Sequence, residues 1–220
     1  MLYNNCFPPN KETQEWFTHQ SGGHSVAIDI PPNLYNDNNW MGVALCVCFS
    51  FGGNRETLLE NLVSEIPHFL YCQFRRTVAG GIDDELSLGC SISKAAISWL
   101  LNVGEFIWIS YVPGETCKNI LRQCNRVESS FVSDWPGVMV QDCGLRLLYQ
   151  CDLVEFKQKL EQCNALISEY SDLACQLMVD QEKSNKRQNP DDDLQAARPS
   201  VVPYNSIDVR INSLQKILIY

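Results

Sequence analysis

Three histidines, eleven cysteines and twenty-six carboxylates are the side chains of this chain that could do chemistry. The histidines are His19, His24 and His68. None sits in H-E-x-x-H, where two imidazoles one helical turn apart hold zinc, or beside a matched cysteine or aspartate in a catalytic pattern. G-x-S-x-G does not occur, and the Gly-Gly pairs at 22, 52 and 80 lack the lysine and spacing of a phosphate loop. The cysteines are odd in number, and several sit in apolar runs: Cys46 and Cys48 in ALCVCF, Cys72 in FLYCQF. There is no C-x-x-C, and Cys46-x-Cys48 on a strand puts both thiols on one face without a second pair, so the pattern is not that of a zinc site. Met1 is followed by LYNNCFPPN, which has neither the basic nor the apolar region of a secretion signal. The cysteines therefore read as reduced, mostly buried thiols acting as small hydrophobes. Asp83, Asp84 and Glu85 lack the spacing of a calcium loop. The other acidic residues gather in loops and in a late helix rather than as facing pairs for glycoside hydrolysis. The residue types point to no enzyme, no metal and no cofactor.

What remains is binding. Asn33, Tyr35, Asn36, Asp37, Asn38 and Asn39 form a polar loop before Trp40. Exposed aromatics among Asn and Asp fit a lectin-like sugar site loosely, although such turns occur in any β-sandwich. Gln20, Ser21 and His24 read as turn residues, and Arg75-Arg76 as a solvated strand end. A net charge of −9 disfavours nucleic acid and an anionic membrane surface. No apolar run approaches the ~20 residues of a membrane helix.

The elements that would carry such a loop are strands. Ser25–Ile30 alternates, with Val26, Ile28 and Ile30 on one face, which predicts a strand with one wet side. WMGVALCVCFSF (40–51) is almost continuously apolar, as in a strand buried on both sides. HFLYCQFRR (68–76), GEFIWISYVPG (104–114), RVESSFVS (126–133), GVMVQDC (137–143) and GLRLLYQC (144–151) bring the count to about seven. That number, with turn signals between, predicts an all-β antiparallel sandwich. Residues 6–24 read as an irregular lead-in anchored by Trp16 and Phe17, 54–65 as a short helix or loop excursion, and 78–85 as an acidic loop. From Leu153 the period changes: Leu153, Phe156, Leu160, Cys163, Ile167, Tyr170, Ala174 and Leu177 recur at 3-4 spacing, predicting an amphipathic helix over 152–179 with Asp152 as N-cap and Glu155 as its partner. Two readings of that stripe stand: a contact with another chain, or a helix lying on its own sandwich. Residues 180–203 are polar and proline-bearing and read as a disordered linker. The tail 204–220 has no assignable structure.

Three stretches taken together carry more than composition: EWFTHQSGGHSVAIDIPPNLYNDNNWMGVALCVCF (15–49), EFIWISYVP (105–113) and VQDCGLRLLY (140–149). Trp16, Phe17, Ser21, Gly23, Ser25, Pro31, Pro32, Gly42, Ala44, Leu45, Cys46, Cys143, Gly144, Arg146, Leu147 and Tyr149 form an ordered set. In it the chain, over about residues 6–151, resembles the C-terminal jelly-roll and Ig-like domain that follows the leucine-rich repeats of plant TIR-type NLR immune receptors. It departs from the pattern at NKETQ before Trp16 and at Asp142, where a basic residue is common. The resemblance implies a non-catalytic, intracellular domain (cytoplasmic or nuclear). With the leucine-rich repeats of its parent receptor, it would hold a pathogen effector protein and oligomerise only through that receptor. It implies structural roles for Trp16, Phe17, Gly42, Cys46, Cys143, Gly144, Arg146 and Tyr149, and specificity in strand-joining loops, for which 33–39, 52–57 and 78–85 are the candidates. A lectin-like jelly roll and an inert cap on the repeats are the alternatives.

Overall fold

The computed structural model describes residues 3–54, 67–78, 81–121 and 125–188. Nine strands make two antiparallel sheets among them. The larger, sheet A, is ordered β1 (Tyr3–Phe7), β7 (Glu105–Pro113), β4 (Trp40–Phe51), β9 (Val138–Tyr149), β2 (His19–Gly22). Sheet B is ordered β3 (Ser25–Asp29), β8 (Arg126–Ser133), β5 (Phe69–Val78), β6 (Gly81–Ser91). Among the described residues four α-helices accompany them: α1 (Lys11–Glu15), α2 (Lys94–Val103), α3 (Gly114–Leu121) and α4 (Leu153–Gln188).

The period of two explains the layers. Val43, Leu45, Val47 and Phe49 of β4 and Phe106, Trp108 and Val112 of β7 meet Val26 and Ile28 of β3, Leu70, Cys72 and Phe74 of β5, and Val127 and Phe131 of β8 in one core. The intervening residues of sheet A, Ala44, Cys46, Cys48, Ile107, Ile109 and Tyr111, are buried as well. Sheet A is therefore apolar on both faces, as the unbroken run of β4 predicts.

Several expectations are corrected. The lead-in 6–24 is not irregular: β1, α1 and β2 occupy most of it, because β1 finds a ladder on β7 (Cys6 opposite Trp108) and β2 on β9 (Gln20 opposite Gly144). The runs 137–143 and 144–151 are not two strands but the single β9, which pairs with β4 along most of its length and absorbs an irregularity between Cys48 and Phe49 as a bulge. Most of 78–85 is strand, since Val78 pairs with Gly81 and Arg75 with Glu85 across a hairpin, and Arg75-Arg76 lie within β5 rather than at its end. Helices α2 and α3 were not foreseen. Ser93 caps α2 by accepting the Ala96 N–H at 3.2 Å, and Gly104 closes it in the left-handed region, φ 87°.

α4 begins where its stripe predicts, but Asp152 is not spent on the helix. Its carboxylate turns back to Tyr149 N–H and Arg146. Phe156, Leu160 and Cys163 are buried, and Ile167 and Tyr170 pack on the core, so this part of the helix lies on its own sandwich. α4 continues to Gln188, past the expected end at 179 and into the segment read as linker. The excursion at 55–65, the rest of that linker and the tail lie outside the described residues.

Candidate functional site

Asn10 starts α1 by accepting the Thr13 N–H at 3.1 Å. The short helix delivers Trp16 and Phe17 onto the outer face of sheet A. Phe17 is wholly buried and sits on Gly144, where an added Cβ would come within 2.8 Å of the Phe17 Cβ. Trp16 meets Phe17 edge-on at 5.3 Å and stacks on Phe156 of α4 at 5.5 Å. The Arg146 guanidinium lies 4.2 Å over the Trp16 ring. Its Nη1 donates to the Trp16 carbonyl (3.0 Å) and its Nη2 to Asp152 Oδ1 (2.7 Å), with Glu155 at 3.9 Å. One planar cation thus joins three parts of the chain, a task a lysine point charge cannot perform. Thr13 and Cys163, at 3.3 Å, close the same contact from the other side. Trp16, Phe17, Gly144 and Arg146 therefore form a clamp, not a reactive site.

Gly42 has φ 148°, and a Cβ there would lie 2.2 Å from the Val112 carbonyl, so only glycine fits this close crossing of strands. Beside it the 33–39 loop is held rather than loose. Leu34 is buried, and Asn33 takes the left-handed conformation that asparagine tolerates, φ 63°. Asp37 Oδ1 accepts the Asn39 N–H at 2.8 Å, and the Asn39 carbonyl accepts the Gln150 N–H at 2.7 Å. Asn33, Asn36, Asp37, Asn38 and Asn39 are exposed and Tyr35 is half-buried. Burial, and then Asp37 and Asp152, raise the Tyr149 hydroxyl above its ordinary pKa.

Loop 33–39 and the paired ends of β5 and β6, Val78 opposite Gly81, lie at one end of the sandwich, because Asp29 pairs with Arg126 and Arg76 with Val127. Residues 52–54 leave β4 at its other end, next to Gly137, so they do not share a surface with loop 33–39. Residues 55–57 and 79–80 lie outside the described residues.

Among the described residues several buried thiols are held protonated by their apolar surroundings. Burial pushes Cys48, Cys117 and Cys143 up to about 12, helped by Glu105 at Cys48 and by Asp142 at Cys143, and raises Cys46 and Cys72 well above the ordinary range. Protonated thiols are poor nucleophiles. One further pairing has no signature in the spacing of residues: His68 stacks on Trp135 at 5.0 Å with its Nδ1 3.5 Å from Asp134. The same Asp134 oxygen accepts the Phe69 N–H at 2.7 Å, and His68 Nε2 is buried without a partner. This is a corner fastening the start of β5. Among the described residues no group of His, Cys, Asp and Glu could hold a metal ion, and no helix is long and apolar enough to cross a membrane.

No curated protein matches the chain. Among solved structures, a chain of the naturally occurring empty top-component particle of cowpea mosaic virus aligns over 67% of this chain and 86% of its own length. The identity is 12% and the TM-score 0.12, too low to carry an argument. The family model of the C-JID domain matches residues 9–154, from just before α1 into the first turn of α4. C-JID is the jelly-roll domain that follows the leucine-rich repeats in plant TIR-NB-LRR resistance proteins. A clamp, a fixed loop and two stacked antiparallel sheets over that span agree with the match, and the chain belongs to the C-JID family.

Proposed function

We propose that this chain is a non-catalytic recognition domain that binds a pathogen effector protein, together with the leucine-rich repeats of a parent receptor, through loop 33–39. The observation that carries the reading is the build of that loop. It presents four exposed asparagines, an aspartate and a half-buried tyrosine on a backbone already fixed by Leu34, the Asp37 turn and the Gln150 hydrogen bond. A binding loop ordered before contact loses little conformational entropy when it binds, and its outward side chains can change without disturbing the core. Protonated thiols and the separated histidines support a role without catalysis. In this reading the domain works inside the cell, in cytoplasm or nucleus, and assembles only through its receptor.

The test is substitution of the exposed Asn36 and Asn38 by alanine in the full receptor, read as effector-dependent immune output and as effector binding. Both should fall while the melting temperature of the isolated chain stays within about 2 °C, as expected for exposed side chains. Unchanged recognition would favour an inert cap instead. A rise in melting temperature with soluble sugars would favour the lectin-like alternative.

A further inference from the structure

Loop 33–39 and the start of α4 are fastened to each other by two routes that both end on Phe156, the first buried side chain of that helix. One route runs through the turn from β9 into α4. The Asn39 carbonyl holds the Gln150 N–H at 2.7 Å. One residue back, the Tyr149 N–H donates to Asp152 Oδ2 at 2.9 Å, and the other oxygen of Asp152 holds Arg146, which covers the Trp16 ring. Trp16 in turn stacks on Phe156. The other route runs through sheet A. The Asp37 carbonyl accepts the Trp40 N–H at 3.1 Å, and the carbonyl of the next residue, Met41, accepts the Tyr111 hydroxyl at 2.7 Å. The Tyr111 ring lies 6.3 Å from that of Phe156. Tyr111 and Phe156 are each 7% exposed, and the Arg146 and Asp152 side chains 19% and 16%. Most of this frame is therefore shielded from water, where linked hydrogen bonds reinforce one another.

We propose that loop 33–39 and the seating of α4 on sheet A are coupled. A partner that holds the loop in its ordered form also tightens the start of the helix, and release of the helix weakens the hold on that partner by the same factor. The loop is then the input, and α4, which carries on to Gln188, the output. The inference rests on the effector reading of loop 33–39 only for what acts on the loop. The coupling itself belongs to the chain alone and is tested without a partner.

Amide hydrogen exchange in the full chain is the test. Asp37→Ala removes the oxygen that accepts the Asn39 N–H and loosens the loop. Exchange should then speed up at Gln150 and also at Lys157 to Leu160, the first amides bonded within α4. The expected rise is about three- to ten-fold, the worth of one hydrogen bond. Asp37→Asn keeps an accepting oxygen and should leave those amides at the parent rates. In the other direction, Arg146→Lys and Phe156→Ala loosen the helix and should speed exchange at Asn39 and Gln150. Arg146→Lys keeps the charge and most of the side chain, so the reverse arm does not hang on Phe156→Ala folding. Lys157 to Leu160 unmoved in Asp37→Ala, or Asn39 and Gln150 unmoved in the helix variants, would overturn the coupling. Such a result leaves the effector reading standing, just as unchanged recognition in the Asn36 and Asn38 variants leaves the coupling standing.

Discussion

Gly144 has no side chain because Phe17 occupies the place where one would be. Gly144→Ala should destabilise the chain by about 2 kcal/mol, since neither Phe17 nor β9 can move freely, and lower its melting temperature by roughly 4–8 °C. Gly42→Ala should be worse, because its Cβ meets backbone rather than a side chain. Urea denaturation of both variants checks the order. The cysteines make a separate prediction. Among the described residues Cys151 is exposed, whereas Cys6, Cys46, Cys48, Cys72, Cys117, Cys143 and Cys163 are buried. Ellman's reagent should label Cys151 within minutes in the native chain and reach the buried seven only as it unfolds.

At the scale of elements, α4 is held at its start by one cation and one ring. Arg146 and Asp152 are both largely shielded, and removing the guanidinium leaves the Asp152 carboxylate without its main partner. Arg146→Ala should cost about 2–3 kcal/mol, and Arg146→Lys should recover only part, since an ammonium cannot cover Trp16 and bond both the Trp16 carbonyl and Asp152. Phe156→Ala, which empties the stack on Trp16, should cost about 3 kcal/mol. If the clamp holds the helix, both variants will show early proteolytic cleavage within 153–170 while the sandwich core stays intact. Cleavage no faster than in the parent chain would mean that α4 is held elsewhere. The stripe of α4 was plain in the sequence, because a 3-4 repeat is local. Asp152 was misread because serving as an N-cap and closing a turn back to Arg146 call for the same residue type. α2 and α3 were missed for a different reason. Ser93 and Gly104 bracket α2 clearly, but apolar side chains such as Trp99 and Leu100, buried between strands, give it the look of more sheet.

For the whole molecule, the buried thiols set the alkaline limit. In the folded chain Cys48, Cys117 and Cys143 keep their protons up to about 12, whereas in the unfolded chain they lose them near 9.0. Between those values the folded state binds more protons than the unfolded one, so stability falls as pH rises. This contribution is complete below pH 9 and disappears through about pH 12. The urea midpoint should therefore show no thiol-dependent change between pH 6 and 8 and drop steeply above 9. Replacing Cys48, Cys117 and Cys143 by alanine should flatten that alkaline drop, though it will also lower stability at neutral pH.

The strands at 25–30, 40–51, 68–76, 104–114 and 126–133 were legible in the sequence because alternation is a property of neighbours along the chain, and the order of W-F, G-x-A-L-C and C-G-x-R-L-x-Y marked the family. The tertiary structure alone decided which runs share a sheet, that 137–151 is a single strand, and that β1 and β2 exist at all. Short edge strands have no pattern of their own and are fixed by the ladder that accepts them. It also decided that Arg146 faces Trp16 across 130 residues of chain, and that a bulge leaves Asp142 beside Cys48. Neither follows from spacing, because both depend on which segments the core brings side by side.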